Sequence, residues 1–165
     1  MDANFTRTCG ACSQCCKVMG IDELAKPAGV WCSHRVVGVG CDIHGRHPAS
    51  CQAFACQWLI EPSMPPRLRP DRTKVVLVAE GEPARLVAYC DPANPLAWRR
   101  EPVYSRLKAQ AKSSALTVIV RAGARLWLIA PDEDVDLGEV DPRSAFRVER
   151  DGQGRLRVTP PPPTA

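Results

Sequence analysis

Eight of the nine cysteines fall within the first 56 residues of the 165-residue chain, and their spacing suits metal binding. These eight are Cys9, Cys12, Cys15, Cys16, Cys32, Cys41, Cys51 and Cys56. The two-residue gaps at the start let a short turn aim successive sulfurs at one point. That geometry suits a tetrahedral zinc ion or a cubane iron–sulfur cluster. The ninth cysteine, Cys90, is interpreted as a small buried apolar residue.

The cysteines are expected to be reduced rather than paired in disulfides. The chain opens without a basic start or an apolar leader stretch, so we expect a cytoplasmic protein. Disulfides seldom persist in that compartment. The odd cysteine count also disfavours complete pairing. Metal binding is therefore favoured over a disulfide framework and over eight merely buried thiols.

Two kinds of metal centre fit this pattern. The opening run resembles the start of a ferredoxin motif, although the expected fourth cysteine before a proline is missing. Zinc sites usually have two Cys-x2-Cys knuckles, whereas Cys51 and Cys56 are separated by four residues. We favour an iron–sulfur cluster, with zinc ions as the alternative. Which of Cys15 and Cys16 ligates stays open, because neighbouring side chains of an extended segment diverge.

Histidine and arginine residues near the cysteines could complete or support such a centre. His34 and His44 follow cysteines by two and three residues, and imidazole binds both zinc and iron. They are the favoured alternative ligands, ahead of His47. Eight thiolates would carry eight negative charges. Arg46 lies between two of the cysteines and is the favoured cation for N–H···S contacts with the ligands.

The segment 9–58 resembles the bacterial cysteine-cluster proteins of the CxxCxxCC type, a YkgJ-like family of zinc- or iron-chelating domains. The likeness rests on the eight cysteines and on the stretch GCDIHGRHPASCQAFAC over residues 40–56. His44 and Gln52 stand where the family usually has tyrosine and arginine, and His47 intrudes before the proline. The resemblance implies metal binding but no defined reaction. Some relatives are described as iron–sulfur proteins, and a flagellin lysine methylase carries a similar cluster.

The remainder of the chain must position this cysteine-cluster region, residues 1–60. A proline-rich connector is predicted over 61–72, an α+β region over 73–159 and a flexible tail over 160–165. Three β-hairpins are predicted from apolar runs around turn residues, namely 73–80 with 85–90, 117–121 with 125–130, and 146–149 with 156–158. Residues 102–113 form the main predicted helix. The acidic run 132–136 is interpreted as a solvated loop.

These patterns predict an α+β fold in which a loop-rich, metal-stabilised N-terminal cysteine cluster packs on a small antiparallel sheet with one main helix. The apolar runs are far shorter than the roughly 20 residues of a membrane-spanning helix, so no membrane partner is expected. A net charge of +4 is too small to indicate nucleic-acid binding.

The predicted function is metal binding in electron transfer, metal handling or support of a partner enzyme, with an unidentified protein or redox partner. One alternative is an enzyme that performs redox or methyl-transfer chemistry at the centre. Another is a protein- or nucleic-acid-binding module with structural zinc. Whether the chain is an enzyme stays open.

Overall fold

A computed structural model describes residues 7–81, 84–113, 117–140, 147–153 and 155–159. The helices are α1 (Cys15–Val18), α2 (Ala49–Ala53), α3 (Gln57–Ile60), α4 (Pro70–Thr73) and α5 (Val103–Ser113). The strands are β1 (Arg35–Val36), β2 (Gly40–Cys41), β3 (Val75–Glu80), β4 (Arg85–Cys90), β5 (Thr117–Ala122), β6 (Arg125–Ile129), β7 (Asp134–Glu139), β8 (Arg147–Arg150) and β9 (Leu156–Thr159). Short 3₁₀ turns cover Asp22–Leu24, Pro66–Leu68 and Ala97–Arg99.

The central sheet has five strands in the order β3-β4-β5-β6-β7. Strands β4 and β5 pair in parallel, and the other neighbours pair antiparallel. Helix α5 connects β4 to β5 and brings the chain back to the end of the sheet at which β4 begins. Strand β5 therefore runs in the same direction as β4. The predicted α+β class is confirmed, with a mixed rather than purely antiparallel sheet.

Strand β3 serves two cores because its side chains alternate between the faces of the sheet. Val75 and Leu77 belong to the main core, in which α5 and Trp98 cover one face. Val76 and Val78 point to the other face and pack against the cysteine-cluster region. The sheet therefore packs against α5 on one face and against the cysteine-cluster region on the other.

Helix α5 is held on the main core by an apolar stripe and by polar contacts with Asp134 of β7. Val103 and Leu107, four residues apart, are both buried. Lys108 Nζ lies 2.7 Å from Asp134 Oδ1, and the Tyr104 hydroxyl donates to Asp134 Oδ2 at 3.0 Å. None of the helices in the described part of the chain combines the length and the apolar character needed to cross a bilayer.

The three predicted hairpins and the main helix are confirmed within two residues at their ends, although residue 146 lies outside the described residues. Two segments differ from the structure predicted for them. The acidic run contributes to strand β7, and the proline-rich connector forms a 3₁₀ turn and α4 while burying Met64, Leu68 and Pro70. Proline at a first helical position needs no N–H partner, which explains why these prolines start turns. The predicted tail, 160–165, lies outside the described residues.

Candidate metal centre

All eight N-terminal cysteines line one cavity of about 260 Å³ beside strand β3. Trp58, Leu59 and Val76 complete its apolar wall. The ninth cysteine, Cys90, is 2% exposed in the main core on the opposite face of the sheet. All nine are free thiols. The fold thus separates the eight clustered cysteines from the single isolated one.

Four of the thiols come from a turn followed by a single helical turn. The Cys12 N–H donates to the Cys9 carbonyl oxygen at 2.9 Å, which closes the turn between the first two sulfurs. Cys15 and Cys16 are the first two residues of α1, rather than part of an extended segment. Because successive residues of a helix are rotated by about 100°, their side chains leave the backbone in different directions.

The hairpin of β1 and β2 brings two further thiols to the cavity. The Cys32 N–H donates to the Cys16 carbonyl oxygen at 3.0 Å, which joins the start of this hairpin to α1. Arg35 is paired with Cys41 across the two strands. The Arg35 N–H also donates to the Cys32 carbonyl oxygen at 3.2 Å. These bonds hold Cys32 and Cys41 on the same short hairpin.

Helices α2 and α3 supply the last two thiols. Cys51 lies within α2, and Cys56 directly precedes α3, where its carbonyl oxygen accepts the Leu59 N–H at 2.9 Å. The Ser50 N–H and hydroxyl both donate to the Glu23 carboxylate, at 3.0 and 2.7 Å. This double contact ties α2 to the loop that follows α1.

Arg7 fastens the beginning of the cysteine-cluster region to α3. Its guanidinium donates to the carbonyl oxygens of Trp58 at 3.2 Å, of Met64 at 2.8 Å and of Pro62. Its central carbon also lies 3.8 Å from the centroid of the Trp58 ring, a cation–π contact. Because Arg7 is only two residues from Cys9, these contacts hold the first cysteine against the cavity wall.

Three histidines, His34, His44 and His47, also line the cavity. His34 Nδ1 donates to Asp42 Oδ1 at 3.1 Å, because a carboxylate oxygen only accepts. The rings of His44 and His47 lie 5.1 Å apart. The buried Nδ1 of His47 has no hydrogen-bond partner among the described residues. Nitrogen donors therefore accompany the thiols.

Lys26 is a buried cation beside the thiols. It is 8% exposed, and its ammonium donates to the carbonyl oxygens of Lys17, at 3.3 Å, and of Met19. Burial lowers the pKa of Lys26, whereas the neighbouring thiolates of Cys32 and Cys16 act to raise it. Ionised thiols therefore favour the charged form of this lysine.

Arg35 is a second cation, and with Lys26 it favours the thiolate form of Cys16. The Arg35 guanidinium stacks on the Trp31 ring at 3.7 Å, and its Nε donates to Ser13 Oγ at 3.1 Å. Arg46, the arginine favoured from sequence, is exposed. Lys26, Arg35 and Arg46 all lie outside the residues that line the cavity.

Several thiols stay protonated near neutral pH without a metal. Burial, and then repulsion from Cys56, raises the pKa of Cys9 to about 11. Burial also raises the pKa of Cys41. A hydrogen bond from the Cys15 thiol lowers the pKa of Cys16 to about 7 and raises the pKa of Cys15 itself. A metal that bound these thiols would therefore have to displace protons.

The donor set fits a soft metal, because thiolates select zinc and iron–sulfur clusters. Within the described residues, no group of three or more His, Cys, Asp or Glu side chains is arranged to hold a metal ion. The cavity volume of about 260 Å³ is also many times the roughly 10–15 Å³ that one water molecule needs by the same measure. A metal bound here would therefore have to draw the thiols inward, or the cavity would have to hold more than one metal atom.

One residue beside this site was not singled out by the sequence. Lys26 reaches it because an isolated bridge with Ile21 and a left-handed turn at Ala25, with φ of 47°, fold the loop back. No spacing rule marks such a lysine. His47, which the sequence ranks behind His34 and His44, lines the cavity together with them.

Comparison with known proteins identified no relative of this chain. No protein-family model matches the chain, and neither a curated protein nor a solved structure matches it. The α+β class therefore rests on the arrangement of the helices and strands, and the cavity on the positions of its side chains. The chemistry of the eight thiols and their surroundings is the basis for assigning a function.

Proposed function

We propose that this protein holds a metal centre in its eight-cysteine cavity and serves in electron transfer, metal handling or support of a partner enzyme. One observation carries the proposal. Eight thiols from five separate segments line a single cavity, while the ninth is buried on the other face of the sheet. Random burial of cysteines would not sort them in this way.

An iron–sulfur cluster is the favoured content, and zinc is the alternative. The thiols surround a volume larger than one ion needs, which favours a centre of several metal atoms. Lys26 and Arg35 lie where they can offset the negative charge of a thiolate-bound cluster. When bound, such a cluster would supply reversible one-electron chemistry, and zinc would supply structural stability.

The cysteine spacing also supports a proposal of kinship with the CxxCxxCC-type, YkgJ-like domains. That proposal rests on the sequence pattern of segment 9–58 alone. It agrees with the cavity, because the cysteines that carry the resemblance are the ones that line it. If the purified protein contained no metal, this result would count against both the proposed metal centre and the proposed kinship.

An enzyme that uses the centre is the second candidate, and the wall of the cavity favours it. Besides the thiols, the cavity has an apolar lining that includes Phe54 and Ile21, together with the three histidines. A catalytic metal keeps an open position, whereas a structural one is closed. A coordination shell made only of protein sulfur, without solvent or substrate exchange, would contradict this candidate.

The test is the visible spectrum and the metal and sulfide content of the full chain purified without oxygen. We expect iron and inorganic sulfide with a broad visible absorption. Cys12→Ser and Cys41→Ser should lose this absorption and most of the metal. Cys90→Ala is the matched control and should retain both, because Cys90 lies outside the cavity. Unchanged metal content in Cys12→Ser and Cys41→Ser would overturn the proposal.

A further inference from the structure

We propose that the tip of the β1–β2 hairpin is a docking element for the surface of a bilayer that contains anionic lipids. The tip is the four-residue turn 36–39, Val-Val-Gly-Val, here called the valine tip. This inference goes beyond the proposed function and does not require that the cavity hold metal. The sequence predicts no membrane partner from the length of its apolar runs, and that length bears only on spanning helices.

Exposed apolar side chains are concentrated around this hairpin. Among the described residues, seven large apolar side chains are exposed, and five of them lie between residues 30 and 39. These five are Val30, Trp31, Val36, Val37 and Val39. Val37 and Val39 are 75% and 66% exposed, the highest values of the seven. A cluster of this kind on a folded protein marks a contact surface.

The valine tip is an ordered turn. Val36 and Gly40 are paired where the two strands meet it, and the Val39 N–H donates to the Val36 carbonyl oxygen at 3.1 Å. Gly38 has φ of 78°, as at the third position of a type II turn. A Cβ built on Gly38 would meet no atom within 4 Å, so this side of the turn faces open space. The tip therefore presents its valines outward in a fixed arrangement, which lowers the entropy lost on binding.

Two cations lie beside the base of the hairpin. Arg35 begins β1, and its guanidinium carbon lies 3.7 Å from the centroid of the Trp31 ring. Lys17 Nζ lies 5.4 Å from the same centroid and 3.9 Å from the Asp91 carboxylate. An exposed indole ring with cations on it suits the interface of a bilayer, where tryptophan, lysine and arginine side chains meet the headgroups.

The chain around the hairpin carries an excess of positive charge. Residues 24–60 contain one acidic residue, Asp42, against the three basic residues Lys26, Arg35 and Arg46. Asp42 in turn accepts a hydrogen bond from His34 Nδ1 at 3.1 Å. An anionic surface is therefore the electrostatic complement of this part of the molecule.

The composition of the tip favours lipid over a protein partner. Valine is under-represented among the residues that dominate protein interfaces, and the tip has no polar side chain to fix a register. A second copy of this chain would bring the Arg35 side chains of two hairpins together, which like-charge repulsion opposes. Short apolar side chains with cations behind them instead match a bilayer, in which the acyl region lies beneath negative headgroups. Docking would hold Cys32 and Cys41, which line the cavity, close to the lipid surface.

Co-sedimentation of the full chain with two kinds of vesicle tests the proposal. One kind is phosphatidylcholine alone, and the other is equal parts phosphatidylcholine and phosphatidylglycerol. We expect binding to the mixed vesicles to be stronger by about tenfold or more, and the difference to shrink as salt is added. Val37→Ser/Val39→Ser should weaken binding to the mixed vesicles about tenfold, because two apolar side chains are lost from the tip. Ile60→Ser/Leu96→Ser is the matched control, since it removes two exposed apolar side chains outside the hairpin, and it should bind as the parent chain does.

A fluorescence measurement reports whether the tip enters the bilayer. Val37→Trp places an indole ring at the valine tip. Lipids brominated on their acyl chains should quench the fluorescence of this variant more than that of the parent chain. Far-ultraviolet circular dichroism should be the same for all variants, because the substituted side chains are exposed.

Several results would overturn the proposal. One is absence of binding to the mixed vesicles, and another is equal binding to both kinds of vesicle. Equal binding by the parent chain and Val37→Ser/Val39→Ser would also overturn it and leave the tip as a contact for a protein partner. A parent dimer that this variant converts to a monomer, in ultracentrifugation without vesicles, would assign the tip to a contact between copies.

The metal content of each preparation separates this proposal from the proposed function. Metal-loaded and metal-free protein should bind the mixed vesicles alike, because the valine tip contains no residue that lines the cavity. A chain that contains metal but does not bind vesicles would refute the docking element alone. A metal-free chain that binds them through the valine tip would support the docking element, although the proposed metal centre would fail.

Discussion

Gly40 packs directly on the backbone of Gly10, and this contact joins the hairpin that carries Cys41 to the turn that carries Cys9 and Cys12. A Cβ built on Gly40 would lie 2.5 Å from the Gly10 carbonyl oxygen, much closer than van der Waals contact. Gly40 also has φ of 122°, a conformation that residues with a Cβ rarely adopt. The hairpin and the N-terminal turn therefore make contact at two residues that have no side chain.

Gly40→Ala should destabilise the loaded protein and lower its metal content, because the added Cβ would push the hairpin away from Gly10. Gly38→Ala is the matched control on the same hairpin. Gly38 also has positive φ, of 78°, but a Cβ there would meet no atom within 4 Å. We expect the control to lose about 1–2 kcal/mol in urea unfolding, and Gly40→Ala to lose more. Equal losses, with equal metal content, would contradict the role of the close contact.

Lys26→Met should weaken metal retention. The variant loses the donor to two backbone carbonyls and the positive charge beside the thiolates. We expect a loss of about 1–3 kcal/mol in stability and faster transfer of metal to a competing chelator. Lys112→Met changes an exposed lysine of α5 and should leave both properties unchanged. Identical rates of metal transfer for Lys26→Met and Lys112→Met would show that Lys26 does not contribute to metal retention.

Metal affinity should rise steeply with pH. The pKa of Cys9 is raised to about 11, and burial raises the pKa values of Cys41, Cys51 and Cys56. Because these thiols are protonated near neutral pH, each metal must release protons as it binds, and a lower pH favours the protons. Chelator competition for Cd²⁺ between about pH 6.5 and 8 should show more than a tenfold gain in affinity per pH unit. A Cd²⁺ affinity that does not change with pH would contradict the conclusion that these thiols are protonated near neutral pH.

The cysteines should react with iodoacetamide in a fixed order after the metal is removed by a chelator. Cys16 should be modified first, since its pKa is lowered to about 7 by the hydrogen bond from Cys15. Cys90 should be modified last, since it is 2% exposed and burial raises its pKa to about 12. Tandem mass spectrometry over time gives the order. Modification of Cys90 together with the clustered thiols would mean that the sheet opens when the metal leaves.

Two leucine truncations should separate the stability of the fold from the integrity of the centre. Leu59 lines the cavity and is 7% exposed, and Leu107 lies in the main core and is fully buried. Each change to alanine should cost about 2–5 kcal/mol in urea unfolding. Only Leu59→Ala should also reduce the metal bound per chain. Equal metal loss in both variants would show that general destabilisation, rather than the cavity wall, controls binding.

Local patterns in the sequence predicted most of the sheet, because hairpin strands are joined by recognisable turns. The parallel pairing of β4 with β5 was not predictable in this way, since α5 separates these strands and no local signal encodes their register. Strand β7 was missed because Asp134 and Asp136 suggest a solvated loop. In the structure Asp134 pairs with Lys108 of α5, and Val135 and Leu137 are partly buried.

The sequence was more informative about the sulfur donors than about what surrounds them. Cysteine spacing singled out the eight residues that now share one cavity. The cations depend on how loops fold back, and proximity along the chain favoured Arg46, which is exposed, over Lys26, which is buried. Spacing also could not show that Cys15 and Cys16 begin helix α1 rather than lying in an extended segment.

The alternation along β3 has a consequence for colloidal stability. This strand lies at the edge of the sheet and reads Val-Val-Leu-Val over its first four residues. The cysteine-cluster region covers the face of β3 that carries Val76 and Val78, so these apolar side chains are kept away from other chains. If that region detached on removal of a bound metal, an apolar face would be exposed beside an edge strand, which favours intermolecular strand pairing. Loss of the metal would then be followed by aggregation of otherwise well-folded sheets.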